Sequence, residues 1–212
     1  MSPLIIIGTG GHGREALEVA HAMQEEGTAS WQHIAGFIDD NPRLAESTVN
    51  GLPVLGKVDY LKGAPPCCIA VALGNPALRK QIVQQLSQLI QHEFVQLIHP
   101  TAVIGSSCTL GKGIMIWPKV VITTNVHIDH HVVLNTATTL SHDCTLEDFA
   151  TLAPGCHLAG GVVVGEGCDL GTGTICKPRV TLGAWCRTGA GTVIVKNTEP
   201  KKLYVGVPGI RA

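Results

Sequence analysis

The segment "TLSHDCTLEDFATLAPGCHLAGGV", residues 139–162, consists of four successive hexapeptides that share one pattern. The second residue of each hexapeptide is leucine, and the sixth is small or β-branched: Cys144, Ala150, Cys156 and Val162. A fixed six-residue period is typical of a parallel β-helix, in which three hexapeptides form one triangular coil. The segment therefore predicts short stacked strands around a narrow prism.

The six-residue period covers the whole second half of the chain. Stepping by six from Ile98 to Ile194 gives 17 positions, of which 15 are Ile, Leu or Val, and the register never slips. We expect these aliphatic side chains to fill the prism and the small residues to pack beside them. Five coils and a remainder fit, with residues 18 apart stacked in neighbouring coils.

The same register explains most of the eight cysteines. Five of them occupy the small inward position and a sixth occupies the aliphatic one: Cys108, Cys144, Cys156, Cys168, Cys186 and Cys176. A buried cysteine behaves as a small hydrophobic residue. No CxxC pair is present, so the pattern argues against a zinc–thiolate site and against a cysteine acyl-enzyme.

The first half of the chain has no hexapeptide period and predicts a different domain. "PLIIIG", "HIAGFIDD" and "PPCCIAVALGN" are typical of buried strands, and amphipathic helical patterns follow the first and third. This alternation predicts a small parallel α/β sheet, a half-Rossmann unit. We assign residues 1–97 to this domain and residues 98–212 to the β-helix with its C-terminal tail.

A glycine motif follows the first predicted strand. Gly8, Gly10 and Gly13 form GxGxxG at the start of a helix, where backbone N–H groups can hold a phosphate. Asp39 ends the next strand, where an acid can meet a ribose. One such half is too small for a dinucleotide, so a nucleotide attached to another group is favoured. A tight turn without a ligand stays open as the alternative.

Composition excludes several classes of partner. The net charge of −1 and the absence of a basic stripe argue against nucleic acid. No apolar run approaches the ~18 residues of a membrane span. The start of the chain lacks the basic region and the apolar length of a signal peptide, so we expect a cytoplasmic protein.

"GTGGHGRE", "FIDD", "ALGN" and the end "YVGVPGIRA", together with the hexapeptide repeat, resemble the bacterial sugar-nucleotide and sialic-acid acetyltransferase family along essentially the whole chain. The resemblance implies a left-handed β-helix and a homotrimer. It also implies acetyl-CoA in a groove between adjacent β-helices, and a nucleotide sugar held by the N-terminal domain. The implied reaction is transfer of acetyl to the amine of a nucleotide-linked amino sugar, with no metal.

The same resemblance implies roles for individual residues. His142 corresponds to the general base, and Asp143 to the acid beside it. The implied substrate-binding residues are Gly10, Gly11, His12, Asp39, Asp40, Gly74 and Asn135, and the implied coenzyme-binding residues are Thr151, Thr172 and Ala190. The chain departs from the family at Thr151, where relatives often carry a second histidine.

The β-helix register places His142 outward, stacked between Thr124 and Gly160, which we expect to leave space for a ligand. A neutral imidazole there can take the proton of an attacking amine or hydroxyl. Three alternatives stay open: O-acetylation of a sialic acid or related sugar, a zinc-dependent lyase or hydratase, and a non-catalytic nucleotide-sensing trimer. The residues that suggest zinc are His127, Asp129, His130 and His131.

Overall fold

The computed structural model describes residues 2–212, and its first part is an α/β unit built on a mostly parallel sheet. The sheet has the strand order β3-β4-β2-β1-β5-β6. Its strands are β1 (Leu4–Ile7), β2 (Ile34–Ile38), β3 (Thr48–Val49), β4 (Leu52–Gly56), β5 (Cys68–Val71) and β6 (Glu93–Phe94). The helices are α1 (Gly11–Glu25) and α2 (Pro76–Leu86), and short 3-10 helices span Pro42–Leu44 and Val58–Lys62.

The sheet is wider than the three strands expected from the sequence. β4 extends it beside β2, and β3 pairs with β4 as an antiparallel hairpin. The hairpin turns at Asn50 and Gly51, whose φ angles are 47° and 82°. Positive φ at both turn positions is the reason that Asn-Gly is favoured there. The Asn-Gly pair was therefore the available signal for the missed strands.

The second part of the chain is a left-handed parallel β-helix, as expected. Its two-residue strands pair with the equivalent strands of the next coil, for example Met115 with Val133 and Val133 with Thr151. Sheet I contains β7 (Leu97–Ile98), β10 (Met115–Ile116), β13 (Val133–Leu134), β16 (Thr151–Leu152), β19 (Asp169–Leu170), β22 (Arg187–Thr188), β24 (Leu203–Val205) and β25 (Ile210–Arg211). The last of these pairs with β24 in the antiparallel direction.

The other two sheets complete the triangular prism. Sheet II contains β8 (Val103–Ile104), β11 (Val121–Ile122), β14 (Thr139–Leu140), β17 (His157–Leu158), β20 (Ile175–Cys176) and β23 (Val193–Ile194). Sheet III contains β9 (Thr109–Leu110), β12 (His127–Ile128), β15 (Thr145–Leu146), β18 (Val163–Val164) and β21 (Thr181–Leu182). The chain passes from sheet I to II to III in each coil, so three columns of corner residues separate the sheets.

The prism core has the composition that the repeat predicts. The aliphatic residues at the six-residue positions from Ile116 to Leu182 are at most 1% exposed, and the inward cysteines from Cys144 onward pack among them. Burial raises the pKa of the Cys168 and Cys176 thiols to about 12. These cysteines are therefore packing residues, because a thiol with so high a pKa forms little of the nucleophilic thiolate at neutral pH.

The α/β unit packs against sheet I and the corners on either side of it. Met115, Trp117 and Val133 on the β-helix share one apolar cluster with the core of the α/β sheet. On the other side, Lys80 of α2 pairs with Glu166 of the III–I corner. The first strands of sheet I, with Leu97, Met115, Val133 and Thr151, are consequently covered, whereas Arg187 and Leu203 further along the sheet are exposed. The II–III corner lies on the opposite side of the prism from the α/β unit.

Candidate active site

His142 and Asp143 form a hydrogen-bonded pair at the II–III corner. Nδ1 of His142 lies 2.8 Å from Oδ2 of Asp143, and both side chains are more than half exposed. Asp143 has a φ of 60°, the left-handed conformation that the chain adopts repeatedly at its corners. Hydrogen bonds from His142 and from Asn125 lower the pKa of the Asp143 carboxyl. The ionised carboxylate engages Nδ1 and leaves Nε2 of His142 as the free nitrogen.

The imidazole of His142 packs against Gly160 in the next coil. A Cβ at Gly160 would stand 2.4 Å from Cε1 and 2.5 Å from Nε2 of the ring, far inside van der Waals contact. The expectation of open space at this position is therefore wrong, because the imidazole ring itself occupies the space over the glycine. Glycine at position 160 is what allows this ring orientation.

The glycine loop is closely packed at Gly13 and open at Gly10 and Gly11. A Cβ at Gly13 would meet the carbonyl oxygen of Gly8 at 1.9 Å, whereas at Gly10 and Gly11 it would meet no described atom within 4 Å. Gly10 is the N-cap of α1, and no side chain of residues 2–212 caps this helix. The first N–H groups of α1 are thus available to an anionic group, as the glycine motif predicts.

His12 stacks on the β-helix. Its ring lies 4.6 Å from the Trp117 ring at an interplanar angle of 14°. Burial, followed by the charge of Arg79, lowers the pKa of His12 to about 4. The imidazole is therefore neutral at physiological pH. Its Nε2 is buried and has no hydrogen-bond partner within the described residues, so a donor or acceptor is unused beside the glycine loop.

Asp39 and Asp40 lie at the end of β2 and line a cavity of about 160 Å³. Asp39 is largely engaged within the chain, since Oδ2 accepts from the N–H and hydroxyl of Thr9 and Oδ1 accepts from the N–H of Asn41. Burial acts to raise the pKa of Asp39, but these hydrogen bonds outweigh it and the pKa is lowered. The other cavity-lining residues are Ile7, Gly8, Ile38, Val58, Leu73, Leu78 and Ile82.

The remaining candidates are one buried and three exposed residues. Asn135, at the I–II corner, is 9% exposed and lies one coil after Trp117 in the same column, and its Nδ2 donates to the carbonyl of Leu152 at 2.8 Å. Thr172 and Ala190 lie further along the same corner in neighbouring coils, and neither is buried. The backbone carbonyl of Thr172 accepts from Gly191 at 2.8 Å. Gly74 is exposed after β5 and has open space around its Cα.

Thr151, which the resemblance implies as a coenzyme-binding residue, is buried in this chain. It is 6% exposed beneath α2, and its hydroxyl accepts a hydrogen bond of 2.7 Å from Nη2 of Arg79. The register placed Thr151 correctly on the outer face of sheet I. The docking of the α/β unit, which that register does not encode, then buries it.

The histidine cluster is divided between two environments. His127 is exposed and its Nε2 lies 2.8 Å from Oδ1 of Asp129. His131 is buried between Phe94 and Phe149, and burial lowers its pKa to about 4. Within residues 2–212, no group of three or more His, Cys, Asp or Glu side chains is arranged to hold a metal ion.

Sequence reasoning missed Arg79 and Trp117. Arg79 is fully buried on the apolar face of α2, in line with Ile82, Val83 and Leu86. An arginine within an apolar stripe was the available signal. Trp117 had no such signal, because its contact with His12 depends on how the two parts of the chain pack.

Residues 3–86 match the family described as the PglD N-terminal domain. The acetyltransferase domain of PglB from Neisseria gonorrhoeae FA1090 is 32% identical and superposes with a TM-score of 0.89, covering 100% of both chains. The chain belongs to the bacterial sugar-nucleotide acetyltransferase family. Among the described residues, no helix combines the length and apolar character needed to cross a membrane.

Other members of this family have been solved with ligands. GDP-perosamine N-acetyltransferase from Caulobacter crescentus is 32% identical, with a TM-score of 0.89 over 100% of this chain and 97% of that chain. It was solved with CoA and GDP-perosamine as variants in which one histidine is replaced by alanine or asparagine. UDP-N-acetylbacillosamine N-acetyltransferase from Bacillus subtilis (strain 168) is 29% identical over 118 residues, which are 55% of this chain and 51% of that protein. The matched region thus spans about half the length of this curated relative.

Proposed function

We propose that this protein transfers the acetyl group of acetyl-CoA to the amine of a nucleotide-linked amino sugar. The observation that carries the proposal is the exposed pair of His142 and Asp143, with Nδ1 bonded to the carboxylate and Nε2 free. It is supported by full-length similarity to an enzyme that was solved with CoA and GDP-perosamine.

His142 acts as the general base in this proposal. As the sugar amine attacks the thioester carbonyl, a C–N bond forms and Nε2 of His142 takes the amine proton. Collapse of the tetrahedral intermediate breaks the C–S bond, and the imidazolium returns the proton to the departing thiolate. Asp143 stabilises the imidazolium and selects the tautomer, and such base catalysis contributes roughly 10²–10⁴ in rate.

The nucleotide sugar is assigned to the α/β unit and the I–II corner. The open N-terminus of α1 at Gly10 and Gly11 receives the diphosphate, and the cavity beside Asp39 and Asp40 receives the nucleoside. His12 and Asn135 lie where the β-helix meets the glycine loop and face the sugar. The column of Thr172 and Ala190 continues along the same corner and receives the pantetheine arm.

Two chains are needed to assemble this site. Asn135, Thr172 and Ala190 lie along the I–II corner, whereas His142 lies on the II–III corner, and sheet II separates them. The outward column of sheet II is largely apolar and includes Val103 and Ile175, which are 60% and 44% exposed. A homotrimer with sheet II facing its axis buries this column and brings His142 of one chain to the coenzyme column of its neighbour.

Subunit complementation tests this arrangement. His142→Ala removes the base from one corner, and Ala190→Trp blocks the coenzyme column on another. Each variant alone is expected to lose about 10²-fold or more in kcat. Refolding the two together from denaturant creates interfaces that pair an intact His142 with an intact Ala190, so activity returns. Absence of recovery in mixed oligomers of verified composition contradicts a shared site.

The acceptor is identified by direct assay. The purified protein is incubated with acetyl-CoA and with UDP- or GDP-linked amino sugars, and the product is analysed by mass spectrometry for one added acetyl group. Resistance of the product to hydroxylamine distinguishes an N-acetyl from an O-acetyl group, and so separates the amine acceptor from a sialic-acid acceptor. Full activity in His142→Ala contradicts the proposed base.

A zinc lyase and a nucleotide-sensing trimer have weaker support. For the zinc lyase, the residues that suggested a metal are separated, since His127 pairs with Asp129 and His131 is buried. A trimer that only binds a nucleotide would have no use for the exposed pair of His142 and Asp143, so the pair does not support that alternative. Nucleotide binding without any acetyl transfer favours the sensing trimer.

A further inference from the structure

Arg79 is a buried cation to which the proposed reaction gives no role. Its side chain is 0% exposed and lies on the apolar face of α2. Burial lowers its pKa to about 10, so the guanidinium is still charged at neutral pH. Burying an ion is unfavourable unless its hydrogen bonds are satisfied. The contacts of Arg79 therefore show what the charge is used for.

One side of the guanidinium holds the turn that follows β5. Nη1 donates to the carbonyl of Leu73 at 2.6 Å and to that of Gly74 at 3.3 Å. Leu73 lines the cavity beside Asp39. Its side chain also reaches 2.9 Å from the position that a Cβ on Gly8 would occupy. The turn fixed by Arg79 is thus a wall of the nucleoside cavity and a neighbour of the glycine loop.

The other side of the guanidinium holds two successive coils of the β-helix. Nε donates to the carbonyl of His131 at 3.0 Å, and Nη2 donates to the carbonyl of Phe149 at 2.6 Å. His131 and Phe149 occupy equivalent positions of successive coils at the III–I corner, with φ angles of 56° and 62°. The left-handed conformation turns both carbonyl groups at the corner, where the guanidinium donates to both.

We propose that Arg79 is a positioning residue that fixes the nucleotide cavity at a set height along the β-helix. A planar guanidinium can hold the turn and both coils at once, because its donors point in fixed directions. The acceptor amine must reach a thioester held by the β-helix, and displacements of about 1 Å cost reaction rate. The expected effect of Arg79 on acetyl transfer rests on the proposed function. Its role in holding the turn against the two coils does not depend on that function.

Two substitutions test the proposal, with a matched control. Arg79→Lys keeps the charge but cannot reach both sides, and Arg79→Met keeps most of the volume without donors. Lys80→Met is the control, because Lys80 follows Arg79 on α2 and crosses the same interface to Glu166. Lys80 lies over the rings of Phe149 and Trp185, at 5.9 Å and 5.4 Å, and its hydrogen bond goes to Glu166 rather than to the turn.

The first readout is hydrogen exchange in peptides that cover residues 72–75. We expect exchange to accelerate by about tenfold or more in both Arg79 variants and to stay unchanged in Lys80→Met. The second readout is calorimetric binding of UDP and GDP. Nucleotide affinity is expected to fall by about tenfold in Arg79→Lys, while CoA affinity stays within about twofold.

A merely structural role predicts a different result. If Arg79 only joins the two parts of the chain, all three variants lower the melting temperature, and folded samples keep parental exchange at residues 72–75 and parental nucleotide affinity. That outcome overturns the proposal. If the parent binds neither UDP nor GDP, the proposed function fails, and the exchange measurement alone then decides the role of Arg79.

Discussion

Gly160 shows how a neighbouring coil determines the geometry of the proposed base. Its missing Cβ provides the surface on which the His142 ring lies, and the pair with Asp143 then sets the rotation of the ring. The base is therefore preorganised by the residue that stacks against it in the next coil. Asp143 can engage it because the corner backbone turns there into the left-handed region.

Replacing Gly160 with alanine is expected to act through His142. The added methyl group overlaps the imidazole, which must rotate away, so kcat falls by about tenfold or more with little loss of stability. In the His142→Ala background the same substitution has no further effect on kcat. Gly63→Ala, at a position with open space, serves as the control. Equal effects of Gly160→Ala in both backgrounds contradict the coupling.

The contact between the α/β unit and the β-helix contains two neutral histidines. His12 stacks on Trp117 at one corner, and His131 stacks on Phe149 at the other. Burial is the main reason that both have pKa values of about 4. Their neutrality avoids placing further charge beside the buried guanidinium of Arg79.

These histidines make stability depend on pH. Their folded pKa values of about 4 lie below the ordinary value of 6.5, so the unfolded chain binds protons more readily. Their contribution is complete above pH 6.5 and is lost as pH falls toward 4, by up to about 1.4 kcal/mol per pH unit for each histidine.

Urea unfolding at several pH values between 7 and 4.5 measures this loss. His131→Phe keeps the aromatic packing against Phe94 and Phe149 but removes one titrating group. We expect the slope of unfolding free energy against pH to fall by roughly half in this variant. An unchanged slope means that His131 does not contribute to the acid sensitivity.

The inward or outward position of most β-helix residues could be predicted from the sequence, because the six-residue repeat alone determines it. The inward position of Cys156, the outward position of His142 and the stacking of Thr172 with Ala190 all follow from counting by six and by 18. Contacts between the two parts of the chain could not be predicted in this way. Arg79 was assigned to an ordinary amphipathic helix, and Thr151 was assigned to an open groove that α2 covers.

The proposed trimer depends on sheet II. Ile175→Glu places a charge in its apolar outward column, and we expect the variant to dissociate and to lose acetyl transfer while each chain stays folded. Thr181→Glu adds the same charge at an exposed position of sheet III and is expected to leave both assembly and activity unchanged. Sedimentation velocity and circular dichroism measure assembly and folding.

The opposite result, in which Thr181→Glu and not Ile175→Glu disrupts assembly, would contradict the proposed trimer. A Thr181→Glu protein that dissociates, beside an Ile175→Glu protein that stays assembled, places sheet III at the interface. The corner that carries His142 borders both sheets, whereas the corner that carries Ala190 borders sheets I and II and not sheet III. Such a result would therefore separate the base from the coenzyme column and exclude the shared site.

The fixed length of each coil also limits how this protein can change in evolution. Loss or duplication of one complete coil, which is three hexapeptides, returns every later side chain to its original sheet. A change of one hexapeptide instead rotates all later residues by one face of the prism. Lengthening by whole coils alters the distance between the acceptor end and the far end of the groove by about 4.8 Å per coil. The fold can therefore accommodate longer or shorter donors by discrete steps, without redesign of its core.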